Sequence, residues 1–221
     1  MISVAIDGPA GAGKSTLSRK AAKSLGFIYV DTGALYRAVG LKFTQSGYDT
    51  SLDCDVEKIL LETEVDIRFV NGEQRVFLDG RDVSDEIRTP TASMMASAVS
   101  AKPKVREYLL DMQRRLAQEN DVLMDGRDIG TVVLPDATVK IYLTASAEAR
   151  AARRYKELSE KGEDVTYEQV LSDMKQRDYN DMNREAAPLK IADGAIVADT
   201  TELDFEASLQ LIINIISQKI G

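Results

Sequence analysis

A glycine-rich segment near the start of the chain constrains the fold more than any other part of the sequence. It follows the pattern G-x-x-x-x-G-K-[ST], and its residues are Gly8, Pro9, Ala10, Gly11, Ala12, Gly13, Lys14, Ser15 and Thr16. The apolar run at residues 1–6 precedes it and predicts a buried strand. Helical spacing of apolar residues follows from Leu17 to Leu25, and Gly26 is placed to end that helix. A strand, a glycine-rich loop and a helix in this order predict a loop whose backbone N–H groups surround a phosphate.

Two side chains of this loop have predicted roles toward a nucleoside triphosphate. Lys14 would reach the β- and γ-phosphates, and the Ser15 hydroxyl would ligate Mg²⁺. The D-x-x-G and N-K-x-D motifs that regulatory GTPases carry do not occur in the sequence. The apolar run at residues 122–124 ends in Asp125, whose position alone suggests that it holds a magnesium-bound water. The loop therefore predicts a bound nucleotide without naming the reaction.

Further short apolar runs alternate with helical sequence along the chain. They lie at residues 27–30, 121–124, 139–143 and 195–198, and each predicts a buried strand. The segment from residue 203 to residue 220 has apolar residues at helical spacing and predicts a final core-packing helix. Strands that alternate with helices predict an α/β fold, here a five-stranded parallel sheet covered by helices on both faces.

One region interrupts this alternation and predicts an inserted subdomain at residues 35–100. Val65, Ile67 and Phe69 alternate with polar residues, and the pair Asn71–Gly72 signals a tight hairpin turn. The region is acidic, because residues 49–88 contain 12 Asp and Glu against 5 Lys and Arg. We expect a small antiparallel sheet here, attached to the parallel core.

Composition excludes several kinds of chemistry and of partner. The chain has 221 residues and no histidine, which removes Ser-His-Asp catalysis and His-ligated zinc. The single cysteine, Cys54, lies in a polar run, and we expect it to be an exposed thiol without a disulfide. The net charge of −8 disfavours nucleic acid as a partner, and no apolar stretch is long enough to cross a membrane. We expect a cytoplasmic monomer.

Arginines are placed where they could bind a second anion. Arg37 follows the second predicted strand and Arg127 the third, and residues past the carboxyl ends of parallel strands line the ligand crevice. Two further groups lie at helical spacing, one formed by Arg150, Arg153 and Arg154 and the other by Arg177, Asp181 and Arg184. Each group taken alone is also consistent with a solvated, salt-bridged surface. Beside a phosphate-binding loop, they favour phosphoryl transfer between two anionic substrates.

Four motifs together resemble those of the bacterial cytidylate kinases. They lie at residues 8–16, 29–37, 125–133 and 177–189, and the similarity extends over nearly the whole chain. The resemblance implies transfer of the ATP γ-phosphoryl group to CMP or dCMP, with Mg²⁺ accompanying ATP. It also implies a P-loop core at residues 1–34, 101–149 and 168–221, a nucleoside monophosphate-binding insertion at 35–100, and a lid at 150–167.

The resemblance assigns site residues one by one. Those with a catalytic role would be Lys14, Arg127, Arg153 and Arg184, and Arg154 would join the P-loop in binding ATP. Asp125 is added to the catalytic residues from its position alone. CMP would contact Thr32, Tyr36, Arg37, Ser97, Arg106, Arg127, Asp128, Arg177, Asp181 and Arg184. Among these, Ser97, Arg106 and Asp128 would read the cytosine, while Arg177 and Asp181 would meet the sugar. Thr32 stands where the family often has serine, which keeps the hydroxyl.

Two other functions remain open on the residues alone. A P-loop kinase could act on another small acceptor, such as UMP or a shikimate-like molecule. A nucleotide-sensing module would bind ATP without turning it over. The resemblance favours a kinase for CMP or dCMP over both alternatives.

Overall fold

The computed structural model describes residues 1–47 and 56–221, so Cys54 lies outside the described residues. In chain order the elements are β1 (Ser3–Asp7), α1 (Lys14–Leu25), β2 (Ile28–Asp31), α2 (Thr32–Gln45), α3 (Val56–Leu61), β3 (Val65–Val70), β4 (Glu73–Leu78), β5 (Arg81–Asp82), α4 (Pro90–Ser100), α5 (Pro103–Glu119), β6 (Val122–Gly126), a π-helical turn (Ile129–Val133), β7 (Val139–Thr144), α6 (Ala147–Glu160), α7 (Tyr167–Asn183), β8 (Ile196–Asp199) and α8 (Phe205–Ile220).

The core is a five-stranded sheet in the order β2-β6-β1-β7-β8. Every neighbouring pair in it is parallel, which confirms the predicted sheet. Its register aligns Asp125 of β6 with Ile6 of β1 on one side and with Asp31 of β2 on the other. The carboxyl ends of β1, β2 and β6 therefore meet at one edge, where the loops that follow them can form a single site.

The first helix begins and ends where its glycines allow a turn. Gly13 has φ 81° at the amino end of α1, and Gly26 has φ 73° at its carboxyl end, a region that side chains disfavour. Leu17 and Ala21 are buried against the sheet together with Ile212 and Ile216 of α8. The predicted final helix is confirmed, with its amino end at Phe205.

The insertion contains a second sheet, formed by β3, β4 and β5, and both of its strand pairs are antiparallel. The turn residues Asn71 and Gly72 have φ values of 53° and 77°, so the hairpin predicted from the sequence is confirmed. The buried face of this sheet packs on α2, α4 and α5 in one apolar cluster that includes Phe43, Val76 and Leu109. None of the helices in the described ranges is long and apolar enough to span a membrane.

Helices α6 and α7 form a hairpin beside the sheet. Ala151, Val170 and Met174 make a small apolar cluster between them. Thr166 and Gln169 complete a capping box at the start of α7, in which each side chain bonds the other residue's backbone N–H. This hairpin contains the predicted lid.

Candidate active site

A cleft of about 1230 Å³, including its open mouth, lies at the carboxyl ends of β1, β2 and β6. It brings together most of the residues predicted from the sequence: Gly11, Ala12, Gly13, Lys14, Ser15, Thr16, Thr32, Tyr36, Arg37, Ser97, Arg106, Asp125, Arg127, Asp128, Arg154, Arg177, Asp181 and Arg184. Gly8, Pro9, Ala10 and Arg153 do not line it. The first three form the base of the glycine-rich loop, against the sheet.

The glycine-rich loop is shaped by close packing at its base. A Cβ atom on Gly8, which has φ 154°, would lie 2.0 Å from the carbonyl oxygen of Leu143, so no side chain fits there. Lys14 is buried at the amino end of α1, where its Nζ donates to the Pro9 carbonyl at 2.7 Å. Burial lowers the pKa of Lys14, and the positive charge of Arg127 adds to this effect. A bound polyphosphate would relieve both costs by facing the ammonium with negative charge.

Two oxygen-bearing side chains meet beside Lys14. Ser15 Oγ donates to Asp125 Oδ2 at 2.7 Å, and the Tyr29 hydroxyl donates to Asp125 Oδ1 at 2.9 Å. Burial raises the pKa of Asp125, and Asp31 raises it further. No group of three or more His, Cys, Asp or Glu residues that could hold a metal exists among the described residues. The Ser15 hydroxyl and the Asp125 carboxylate fit Mg²⁺, because this ion takes few protein ligands and keeps water and phosphate oxygens.

Across the cleft, three arginines have hydrogen-bonding capacity to spare. Arg37 Nη2 pairs with Asp31 at 2.9 Å, and Arg127 Nε pairs with Asp181 at 2.7 Å. Arg37 Nε and Arg184 Nη2 are buried and make no hydrogen bond to the described part of the chain. Burial lowers the pKa of Arg184, as does the nearby charge of Arg106. Arg184 Nη2 also lies 3.6 Å from Asp128 Oδ1, and guanidinium nitrogens with unused hydrogen-bonding capacity could bind an anion at this wall.

The residues predicted to read a base lie together next to these arginines. Arg106 Nη2 forms an ion pair with Asp128 Oδ2, and both side chains are at most 10% exposed. Arg106 also lies over the ring of Tyr36, with Cζ 5.5 Å from the ring centroid. Ser97 is on the adjacent face of α4, and Arg184 Nη1 lies 3.3 Å from Ser100 Oγ. Donor and acceptor groups are thus arranged side by side at the end of the cleft.

Helical spacing suggests that the three arginines of α6 point in the same direction, but only one of them lines the cleft. Arg150 is buried, and its Nη1 donates to the Ala10 carbonyl at 2.7 Å. Arg153 bonds the carbonyl groups of Thr200 and Leu203 instead. Arg154 alone lines the cleft, where it pairs with Glu157 at 2.7 Å. Arg153 therefore lies away from the groups assembled around Lys14.

Two structural residues at the site were missed by sequence reasoning. Asp178 accepts from the Ala10 N–H at 3.2 Å and pairs with Arg150 at 2.7 Å. Asp7 accepts from the N–H groups of Ile129 and Gly130 at 2.8 and 2.7 Å. Asp7 ends β1 directly before the glycine-rich loop, and Asp178 belongs to the fourth motif, so both positions could have been singled out from the sequence. Their backbone partners could not, because those lie far away along the chain.

A P-loop at the edge of a parallel sheet, with arginines lining the same cleft, is typical of the class of P-loop kinases. Within that class the family is shown by sequence, since the profile described as Cytidylate kinase matches residues 4–218. The chain belongs to the cytidylate kinase family.

Individual relatives support this assignment, and solved structures share the fold. The cytidylate kinase of Caldicellulosiruptor saccharolyticus is 54% identical over 223 residues, covering 100% of this chain and 97% of the relative. That of Caldanaerobacter subterraneus is 50% identical over 211 residues, covering 96% and 92%. TT1252 from Thermus thermophilus shares the fold at 18% identity and a TM-score of 0.50, covering 100% of this chain and 98% of that one. An uncharacterized protein from Eubacterium ventriosum does so at 14% identity and a TM-score of 0.53, covering 98% of both chains.

Proposed function

We propose that this chain transfers the γ-phosphoryl group of ATP to CMP or dCMP, giving ADP and CDP or dCDP. The observation that carries the proposal is the Arg106–Asp128 pair at the end of an arginine-lined cleft. Membership of the cytidylate kinase family supports the same reaction. A kinase for a non-nucleotide acceptor has no base to recognise and would not require this buried pair.

The P-loop half of the cleft would hold ATP. Its backbone N–H groups and Lys14 would bind the phosphates, with Lys14 turning from the Pro9 carbonyl toward the transferred group. Mg²⁺ bound with ATP would neutralise charge on the phosphate oxygens, held by the Ser15 hydroxyl and, through water, by Asp125. Asp125, already beside Ser15, would also keep that hydroxyl oriented.

The arginine half would hold the acceptor phosphate and stabilise the transfer. Arg37, Arg127 and Arg184 would bind its oxygens, since two of the three have unpartnered nitrogens. One acceptor oxygen attacks the γ-phosphorus, and the bond from that phosphorus to the oxygen bridging to ADP breaks. The acceptor oxygen is already largely ionised at neutral pH, so no general base is required. A chain with no histidine can therefore catalyse this reaction.

Cytosine recognition would depend on rearranging the Arg106–Asp128 pair around the base. Cytosine O2 and N3 accept hydrogen bonds, which suits Arg106 and Ser97, whereas its N4 amino group donates to a carboxylate such as Asp128. Uracil presents an acceptor, O4, where cytosine has this amino group, so the buried Asp128 carboxylate would face an oxygen and receive no hydrogen bond from the base. Arg177 and Asp181 would meet the sugar.

The structure leads us to revise the proposed role of Arg153. A second cavity of about 310 Å³ begins at Gly13 and Thr16 of the P-loop and extends to Phe205, and Arg153 lines it. This is the space next to the P-loop on the side away from the acceptor, so we propose that it receives the base of ATP. Arg153 would then contribute to ATP binding, and Arg154 would be the arginine of α6 that reaches the phosphates.

We propose the domain division that the resemblance implies, with residues 35–100 as the monophosphate-binding insertion and residues 150–167 as the mobile lid. The Arg150–Asp178 pair anchors the base of the α6–α7 hairpin to Ala10 of the P-loop. Lid motion would then be confined to the part of the hairpin beyond this anchor.

The experiment that tests the function is a coupled ADP-release assay over a panel of acceptors. CMP, dCMP, UMP, AMP, GMP, dTMP and shikimate are compared at equal concentrations with ATP and Mg²⁺. We expect CMP or dCMP to be preferred, and preference for another acceptor would refute the proposal. Lys14→Ala should abolish turnover and serves as the control for contaminating kinases. ATP binding without turnover of any acceptor would favour the nucleotide-sensing alternative.

A further inference from the structure

The hairpin of the insertion touches the parallel core through the side chain of Gln74, on β4. Gln74 Oε1 accepts from the Asp31 backbone N–H at 2.8 Å, and Gln74 Nε2 donates to the Asp31 carbonyl at 3.3 Å. In the sheet that the structure describes, β2 is an edge strand that pairs with β6 alone. The amide of Gln74 thus satisfies both outward backbone groups of Asp31, as a neighbouring strand would.

Asp31 in turn fixes one of the arginines of the acceptor wall. Its Oδ1 caps α2 by accepting from the Ala34 N–H at 3.0 Å, and its Oδ2 pairs with Arg37 Nη2 at 2.9 Å. A Cβ atom on Gly33 would lie 3.2 Å from both Asp31 Oδ1 and Arg37 Nη1. The two charged side chains are therefore packed closely over a backbone that Gln74 helps to hold.

Arg37 has space on the side away from the cleft as well. A small cavity of about 40 Å³ lies between the hairpin and the core, and Asp31, Arg37 and Gln74 all line it. Arg37 also lines the cleft, and its buried Nε makes no hydrogen bond to the described residues. The ion pair with Asp31 holds Arg37 between these two spaces.

We propose that Gln74 is a positioning residue for acceptor binding, acting through Asp31 on Arg37. The proposal rests on the proposed function, in which Arg37 binds the acceptor phosphate. Through its two hydrogen bonds to Asp31, the Gln74 amide would fix the backbone where β2 ends and α2 begins. The position of this backbone would fix the direction of the Arg37 side chain. The hairpin would thus act on the acceptor without touching it.

Gln74→Glu is the sharpest test because it preserves shape. The carboxylate still accepts from the Asp31 N–H, but it loses the donor to the Asp31 carbonyl and places a negative charge beside that oxygen. We expect KM for CMP to rise about tenfold, because a repulsive contact replaces one well-placed hydrogen bond. KM for ATP should stay within about twofold of its original value. Gln74→Ala, which removes both bonds without adding charge, should change the same parameters by a smaller factor.

Two controls separate positioning from a loss of structure. Arg75→Gln removes the ion pairs of the neighbouring residue with Asp82 and Asp85, which lie within the insertion, and should leave both KM values unchanged. In an Arg37→Ala background, Gln74→Glu should have no further effect on KM for CMP, since its effect passes through Arg37.

The outcomes are distinct. Equal rises in KM for CMP and ATP, or effects of Gln74→Glu and Arg37→Ala that multiply, would overturn the positioning role. Failure of the proposed function would show instead as absent turnover of CMP by the unaltered enzyme. A thermal melt of each variant confirms that it is folded before its kinetics are compared, and Gln74→Ala provides the measurement should Gln74→Glu not fold.

Discussion

Removing the carboxylate of Asp178 tests whether the α6–α7 hairpin supports the P-loop. All three guanidinium nitrogens of Arg150 are used: Nε donates to the Ala145 carbonyl at 2.9 Å, Nη1 to the Ala10 carbonyl at 2.7 Å, and Nη2 pairs with Asp178 at 2.7 Å. The second oxygen of Asp178 accepts from the Ala10 N–H. The pair therefore binds both backbone groups of one P-loop residue.

The magnitude follows from burial. The Arg150 side chain is 5% exposed and that of Asp178 is 13% exposed, so Asp178→Ala leaves a buried charge without its partner, at a cost of about 3–5 kcal/mol. For a chain of this length each kcal/mol lowers Tm by about 2–4 °C, which predicts a fall of roughly 6–20 °C. Asp178→Asn keeps an acceptor for the Ala10 N–H and should lower Tm less.

The assay is thermal unfolding without nucleotide, followed by circular dichroism and calorimetry, with KM for ATP measured on the same samples. Glu148→Gln is the matched control, because Glu148 and Lys175 also join α6 to α7, at 3.2 Å, but both are more than half exposed. Such a surface pair contributes about 0–1 kcal/mol. A change in Tm for Asp178→Ala no larger than that for Glu148→Gln would refute the reasoning, as would an unchanged KM for ATP.

Three further changes probe the base-reading, core and ATP-binding residues. Asp128→Ala should lower kcat/KM for CMP and relax the preference for CMP over UMP, and an unchanged CMP-to-UMP ratio would exclude Asp128 from base reading. Burial raises the pKa of Asp7 to about 6 from its ordinary 3.8. Between pH 3.8 and about 6, the folded state therefore holds a proton on Asp7 that the unfolded state releases. The stability that this proton adds is present below pH 3.8 and is lost as the pH rises through about 6. Relative to Asp7→Asn, the unaltered protein should lose about 3 kcal/mol of unfolding free energy between about pH 3 and 7, and denaturant titrations giving parallel pH profiles would contradict this. Arg153→Ala should raise KM for ATP and leave KM for CMP unchanged, whereas a fall in kcat of more than about 100-fold would restore its catalytic assignment.

Local sequence signals predicted the elements that frame the site. The β1–loop–α1 unit, the hairpin turn at Asn71–Gly72 and the end of α1 at Gly26 all depend on the conformations that single residues allow. The meeting of Arg37 and Arg127 in the cleft followed from their positions after strand ends. These predictions held because backbone conformation is set by a few neighbouring residues, and because strands that alternate with helices run parallel and end at the same edge of the sheet.

Sequence patterns alone thus predicted the backbone elements and the motifs that line the cleft. Where each long side chain points depends instead on the folded chain around it. Helical spacing grouped Arg150, Arg153 and Arg154, yet a guanidinium on a flexible stem bonds whichever acceptors surround it. These acceptors are the carbonyl groups of Ala10 and Thr200 and the carboxylate of Glu157. Most such acceptors come from segments far along the chain, as Asp31 does for Gln74, and only folding brings them within hydrogen-bond distance.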